Sequence, residues 1–173
     1  SSGYAMDRRT HSKIWESGMS HINEGLFASG RSDWGTPQSL FDDLHAEFRF
    51  TLDVCAALWN RKLDRCFVPA VAGWSAGEWQ RLYGAAVRVD GLAHSWAGER
   101  CFMNPPYGDV IKAWVSKARM EAERGTLVVG LLPVRTDTKW FHRHVYHAAT
   151  EIRFLKGRLK FEGGKALSSA PFP

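Results

Sequence analysis

Asn104-Pro105-Pro106-Tyr107 is the stretch of the chain whose residue types together suit a defined reaction. Consider a planar exocyclic amine such as that of adenine. Its lone pair is delocalised into the ring, which makes it a poor nucleophile. A site that accepts hydrogen bonds from both N–H groups favours the tetrahedral form, in which the lone pair is free. The Asn104 side-chain oxygen is one such acceptor. Pro105 has no N–H, but its carbonyl is a second. Pro106 fixes φ, which stiffens the loop and holds both acceptors in place. Tyr107 offers an aromatic face for stacking a base turned out of a helix. Asn is no base, so the chemistry implied is orientation plus electrostatics, with the proton leaving later to water. At ordinary residue frequencies this string arises by chance in a chain this long on the order of once in a thousand.

Elements must hold this loop in place. Arg100 to Met103 is a short apolar strand that runs straight into it. A helix follows, capped by Asp109, with Val110, Ile111, Trp114, Val115 and Ala118 on one apolar face and Gly125 as its stop. Thr126 to Leu132 is a continuous apolar run, as expected of a central parallel strand covered on both faces. Upstream, Thr36-Pro37 reads as a helix start, with Thr as the cap and Pro in the first turn. Leu40, Phe41, Leu44 and Phe48 then share a face, and Phe50 to Val54 is a strand. A helix is expected from Ser75 to Tyr83 and a short strand from Ala86 to Val89, within a stretch of weak pattern between residues 61 and 95. Thr138 to His147 reads as a helix with Trp140, Phe141 and Val145 inward. Glu151 to Leu155 reads as a strand that turns through Lys156-Gly157-Arg158 into Leu159 to Phe161, a hairpin. Strands alternating with helices imply an α/β layered sheet, most simply doubly wound. Ligands of such sheets sit at the carboxyl ends of the strands, where the Asn104 loop lies.

Composition narrows the field. The chain has 173 residues, enough for one domain with a sizeable core. Residues 1–31 mix polar and charged types without a period and read as a partly flexible arm; residues 32–173 read as a single domain. With 45% hydrophobic and 24% charged residues, the bulk of the chain is not disordered. No apolar run approaches the roughly 20 residues that span a bilayer, so no membrane is expected, and no signal peptide is visible. Cys55, Cys66 and Cys101 follow no disulfide or zinc spacing, and the histidines lack a third ligand, so reduced thiols and no metal are expected. The net charge of +5 favours an anionic partner.

Asn-Pro-Pro-Tyr is the amino-methyltransferase signature, and the wider chain resembles the small phage DNA N6-adenine methyltransferases, a Dam-like family that uses S-adenosylmethionine. The matching blocks are Asp33-Trp34-Gly35-Thr36-Pro37 with Leu40-Phe41, Phe50 to Ala56 with Asn60, and Asp90-Gly91-Leu92 with Trp96. They continue with Cys101 to Tyr107, Leu131-Leu132-Pro133 with Trp140 to His142, and Glu151 to Leu159. They run in one consistent order from Ser32 onward.

The resemblance implies a small Rossmann-like methyltransferase sheet. It implies methyl transfer from S-adenosylmethionine to the exocyclic amine of a flipped adenine in double-stranded DNA, in the bacterial host's cytoplasm if the chain is phage-encoded. Asn104, Pro105, Pro106 and Tyr107 would be the catalytic loop. Thr36, with the backbone of Trp34 and Gly35, would grip the methionine end of the cofactor. Asp53 would pair with its ammonium group, and Asp90 would meet its adenine or ribose. Arg135, Lys139, Arg153, Lys156 and Arg158 would approach the phosphate backbone. There are departures. Val54-Cys55-Ala56-Ala57 replaces the glycine-rich cofactor loop, no acidic residue suits the ribose hydroxyls, and the family's sheet continues past Pro173, so the sheet would lack its C-terminal strand or strands. Two other readings stay open: an S-adenosylmethionine-dependent glutamine or RNA-base methyltransferase, and a non-catalytic phage DNA-binding decoy.

Overall fold

A computed structural model describes residues 35–69, 75–157 and 159–161. Its elements in chain order are α1 (Gln38–Phe48), β1 (Leu52–Asp53), β2 (Cys66–Val68), α2 (Ala76–Tyr83), β3 (Val87–Val89), β4 (Arg100–Met103), α3 (Ile111–Glu123), β5 (Leu127–Gly130) and the short α4 (Lys139–Phe141). α4 continues into a π-helical turn, His142–Tyr146. The five strands form one sheet in the order β3-β2-β1-β4-β5. Every pairing is parallel: Asp53 lies opposite Cys66 on one side and Phe102 on the other, and Met103 lies opposite Gly130. The chain therefore builds outward from β1 through β2 to β3, then crosses back to begin again at β4. This is the Rossmann-like arrangement, and the β1–β4 boundary is its topological switch point.

Two-residue periodicity divides the strands between two packed faces. Leu52, Val54, Phe67, Cys101 and Met103 pack with Ile111 and Val115 of α3 and with Trp140 and Phe141 of α4. Phe102 points the other way and meets Phe41 of α1 and Phe50, with Leu44 and Phe48 at the margin. Trp79 of α2 packs with Ala56, Cys66, Val68 and Val87. The core is thus built on both sides of the sheet, as a parallel sheet requires. Burial pushes the Cys66 and Cys101 thiols up to about 12, so both are neutral packing groups.

One polar anchor sits inside this core. Glu121 of α3 is fully buried, paired with Lys117 one turn earlier, and accepts the Trp96 backbone N–H at 3.3 Å. Burial alone would raise its pKa, but Lys117, the Trp96 amide and Arg124 hold it below the usual range. Trp96 in turn donates its indole N–H to the Gly91 carbonyl at 2.7 Å. The loop between β3 and β4 is therefore tied to α3.

Several expectations hold. β4 covers Arg100–Met103 as read, α2 starts at Ser75 with a full capping box to Glu78, and Gly125 ends α3 with φ of 92°. Others are corrected. Thr36 does not cap α1; no side chain does, and the Thr36 hydroxyl is engaged elsewhere. Asp109 likewise does not cap α3, which starts after Val110 without a side-chain cap. β5 is half-buried at the edge of the described sheet, not central. β2 was not expected. Glu151 to Leu155 forms no strand and no hairpin with the residues that follow; Phe154 is 68% exposed. The arm of residues 1–31 lies outside the described residues, as do Trp34 and Arg158.

Candidate active site

The switch point places two polar side chains next to each other. Asp53 is the last residue of β1, and Asn104 follows the last residue of the adjacent β4. Asp53 is 4% exposed. Its Oδ2 accepts the Lys62 backbone N–H at 3.1 Å and its Oδ1 accepts that of Cys55 at 3.5 Å. Burial pushes its pKa up to about 6 against the pull of those two amides. A carboxylate kept in such a place is poised to gain from a cation.

Asn104 is held at both ends. Its Nδ2 donates to the Thr36 hydroxyl oxygen at 3.0 Å, and Thr36 is itself 2% exposed. Its backbone N–H hydrogen-bonds the Cys55 sulfur. Burial, together with the nearby Asp53 charge, pushes the Cys55 thiol well up, so Cys55 is a neutral support and no nucleophile. Thr36, Asp53, Cys55, Asn60, Lys62 and Asn104 line one small recess. Its innermost volume of about 20 Å³ suits a water-sized group such as an ammonium. Asn60 braces the rim by accepting the Ala57 N–H at 2.8 Å.

The rest of the loop is firmly seated. Pro105 is buried and Pro106 half-buried. Tyr107 is half-buried against the α3 core, edge-on to Phe161 at 6.2 Å and 80°. Burial pushes its phenol up, so it stays neutral. Gly108 takes a φ of 97°, open to glycine with little cost, and lets the chain leave the loop for α3. At the neighbouring strand end, a Cβ on Gly91 would meet the Val54 carbonyl at 2.2 Å. The β3 exit therefore packs directly against the β1 exit. Asp90, one residue earlier, takes a φ of 60° and accepts the amides of Leu92 and Ala93 at 3.1 and 3.3 Å. It shapes that turn and does not line the recess.

A family model described as DNA N-6-adenine-methyltransferase (Dam) matches residues 25–170. The chain belongs to the Dam family. A relative named DNA N-6-adenine-methyltransferase, from Haemophilus phage HP1 (strain HP1c1), is 26% identical over 135 residues, covering 77% of this chain and 68% of the relative. No solved structure matches.

In this Dam-family chain the basic residues divide. The loop bearing Arg135 leaves β5 beside the Asn104 loop, since the Leu131 N–H donates to the Met103 carbonyl at 2.8 Å. Arg135 and Lys139 are exposed on that edge, Arg135 with a loose contact to Asp137 at 3.4 Å. Lys156 is exposed further on. Arg153 is different: it makes a two-pronged ion pair with Glu47 of α1, both bonds at 2.6 Å, and a further pair with Glu151. It clamps the 151–155 segment to α1. Lys62 and Cys55 are site residues that the sequence reading missed as site residues. Their signal is only positional, through a loop that returns to the end of β1. Among the described residues no three His, Cys, Asp or Glu side chains gather as a metal site, and no helix is long and apolar enough to cross a membrane.

Proposed function

We propose that this chain transfers a methyl group from S-adenosylmethionine to the N6 amine of adenine in double-stranded DNA. Family membership supports the reaction. The observation that carries it to particular residues is that a buried carboxylate, Asp53, and the held amide of Asn104 line one recess at the switch point. The recess fits the cofactor's amino-acid end, because its donor set offers a buried anion for an ammonium in a space of matching size. Asp53 would hold that ammonium, with the backbone at Gly35 and Thr36 beside it; the larger nucleoside would lie outside the recess, toward Asp90. When bound, S-adenosylmethionine supplies an electrophilic methyl group.

The protein's own part is orientation. The Asn104 Oδ1 and the Pro105 carbonyl accept the two N–H bonds of the amine, and so localise its lone pair. Buried Pro105 and half-buried Pro106 keep these acceptors from relaxing as charge develops, which is where preorganised dipoles act most strongly. Tyr107 stacks on the extruded base with whatever ring face its packing against Phe161 leaves presented. No side chain takes the proton, which passes to water. Arg135, Lys139 and Lys156 meet the phosphate backbone, whereas the Glu47 and Glu151 pairs draw Arg153 toward a structural task.

Transfer of labelled methyl from S-adenosylmethionine to DNA, RNA and protein in parallel tests the reading. Label is expected in DNA, on adenine. Asn104→Ala should lower turnover about 100- to 1,000-fold, the scale of one deleted transition-state hydrogen bond. Label in RNA or protein alone, or full activity in Asn104→Ala, overturns it.

A further inference from the structure

We infer that Thr36 is a positioning residue for the amine acceptor: its hydroxyl oxygen, by taking the Asn104 Nδ2 hydrogen, turns the Asn104 Oδ1 toward the target amine. The inference rests on the proposed methyl transfer and assigns Thr36 a task other than the cofactor grip that the resemblance implies.

The geometry is specific. Residues 36 and 104 are far apart in the chain, yet the bond is 3.0 Å long and the Thr36 side of it is almost fully buried. An Asn side chain is a planar amide with its oxygen and nitrogen at the two corners of one end. Its last torsion is broad and roughly two-fold, so nothing intrinsic to Asn selects which corner faces the substrate. One corner must therefore be fixed from outside. With the nitrogen held on Thr36, the oxygen is directed away from Thr36. A hydroxyl can serve either corner, so Thr36 anchors the amide in its place, and the orientation in the structure, with Nδ2 on Thr36, is the one that leaves Oδ1 to the amine. The backbone N–H of Asn104 is engaged separately on the Cys55 sulfur, so the Thr36 bond acts on the side chain itself.

The sequence context agrees. Thr36 precedes α1 and stands where a helix cap is expected, but α1 begins without a side-chain cap. The hydroxyl is thus withheld from the helix and used on Asn104. Thr36→Val keeps the shape and removes the hydroxyl. It would remove the hydroxyl bond from the part-buried Asn104 NH₂, and the amide would then settle on its other contacts. Misplacement of a reacting contact by about an ångström costs up to roughly 100-fold.

The test uses the full chain as wild type, Thr36→Val, Thr36→Ser and each change combined with Asn104→Ala. Single-turnover methylation of DNA at saturating S-adenosylmethionine should fall about 10- to 100-fold in Thr36→Val and recover to within roughly threefold in Thr36→Ser, which keeps the hydroxyl. In the Asn104→Ala background the same Thr36→Val change should cost less than about threefold, because a residue acting through Asn104 has nothing left to position. Calorimetric affinity for S-adenosylmethionine should stay within about threefold of wild type in Thr36→Val. An equal loss of rate in both backgrounds, or a loss of cofactor affinity that accounts for the rate, makes Thr36 a cofactor contact and overturns the inference. So does a wild-type rate in Thr36→Val. A readout without cofactor separates this from failure of the methyl-transfer reading: the Asn104 side-chain amide protons should exchange slowly by NMR in wild type and Thr36→Ser, and fast in Thr36→Val. Wild type that labels no DNA refutes the enzymatic reading, while unprotected amide protons in wild type refute the positioning bond itself.

Discussion

Lowering the pH from 7 to 5 should loosen S-adenosylmethionine by protonating Asp53. Its carboxyl is 4% exposed, and burial pushes its pKa up from the ordinary 3.8 to about 6, with the Lys62 and Cys55 amides pulling the other way. A cofactor ammonium beside it favours the ionised form, so binding and ionisation are linked. With the free carboxyl at about 6 and the bound one lowered by the ammonium, only about one molecule in eleven is ionised at pH 5 before binding. Apparent affinity then drops about tenfold, or about 1.4 kcal/mol, between pH 7 and pH 5, most of it below pH 6. Affinity is nearly full at pH 7, about half of that at pH 6, and falls progressively below. The comparison stops at pH 7 because an α-amino group itself titrates near 7.7–8.0. Calorimetry on wild type and Asp53→Asn is the assay. Asp53→Asn should bind roughly 10- to 100-fold more weakly at pH 7, the scale of a lost charged hydrogen bond, and show little pH dependence. A flat wild-type profile from pH 5 to 7, or the same slope in both proteins, would refute the ammonium contact. Folding has its own sign. Because the folded pKa lies above the unfolded one, the native state holds more protons between about pH 4 and 6. Stability without cofactor therefore falls as pH rises through that window, by on the order of 3 kcal/mol, and levels off above it. Thermal melts across pH, compared with Asp53→Asn, check that slope.

Three further outcomes are expected. Tyr107→Phe should keep most activity, whereas Tyr107→Ala should lose about 1–3 kcal/mol of base stacking, seen as DNA affinity and rate, along with the edge contact to Phe161; equal losses would point to the hydroxyl. Glu121→Ala should destabilise the fold by about 3–5 kcal/mol, because it strands Lys117 and the Trp96 amide in the core, and chemical denaturation measures this directly. Duplex binding should weaken steeply with salt, and Arg135→Ala with Lys139→Ala should flatten the slope of log affinity against log salt; an unchanged slope in that double variant places the phosphate contacts elsewhere.

What could be read from sequence follows the range of the forces involved. β4 and α3 were legible because their pattern is local: an apolar run, then an i, i+3, i+4 stripe. The strand at Cys66–Val68 was not, since three apolar residues after a charged loop carry no period of their own. The Thr126 to Leu132 run reads as central because continuous apolarity looks the same on a covered strand and on an edge strand packed by helices. Glu151 to Leu155 alternates like a strand, but Arg153 is drawn to Glu47, which is remote in sequence, and that competition leaves no local trace. Glu121 looks like the surface partner of Lys117 one turn away; only tertiary packing shows that both lie against Trp96. At the site, Asn104 to Tyr107 stood out by composition. The Thr36 bond, the Lys62 amide and the Cys55 support are all long-range or backbone contacts that no motif spells out.

The position of Asp53 and Asn104 on neighbouring strands also has a consequence in time. About fifty residues separate them in the chain, yet their strands pair directly. At roughly 5–20 residues per second of synthesis, the second follows the first from the ribosome by roughly 3–10 seconds. Until β4 arrives, β1 has no neighbour on that side, and the carboxylate faces water instead of a closed recess. Its elevated pKa, the held amide and the recess between them thus come into being with the same late, non-local pairing event. A nascent or truncated chain that ends before β4 has neither half of the recess in its final form, so on the proposed function cofactor binding and catalysis would be acquired together.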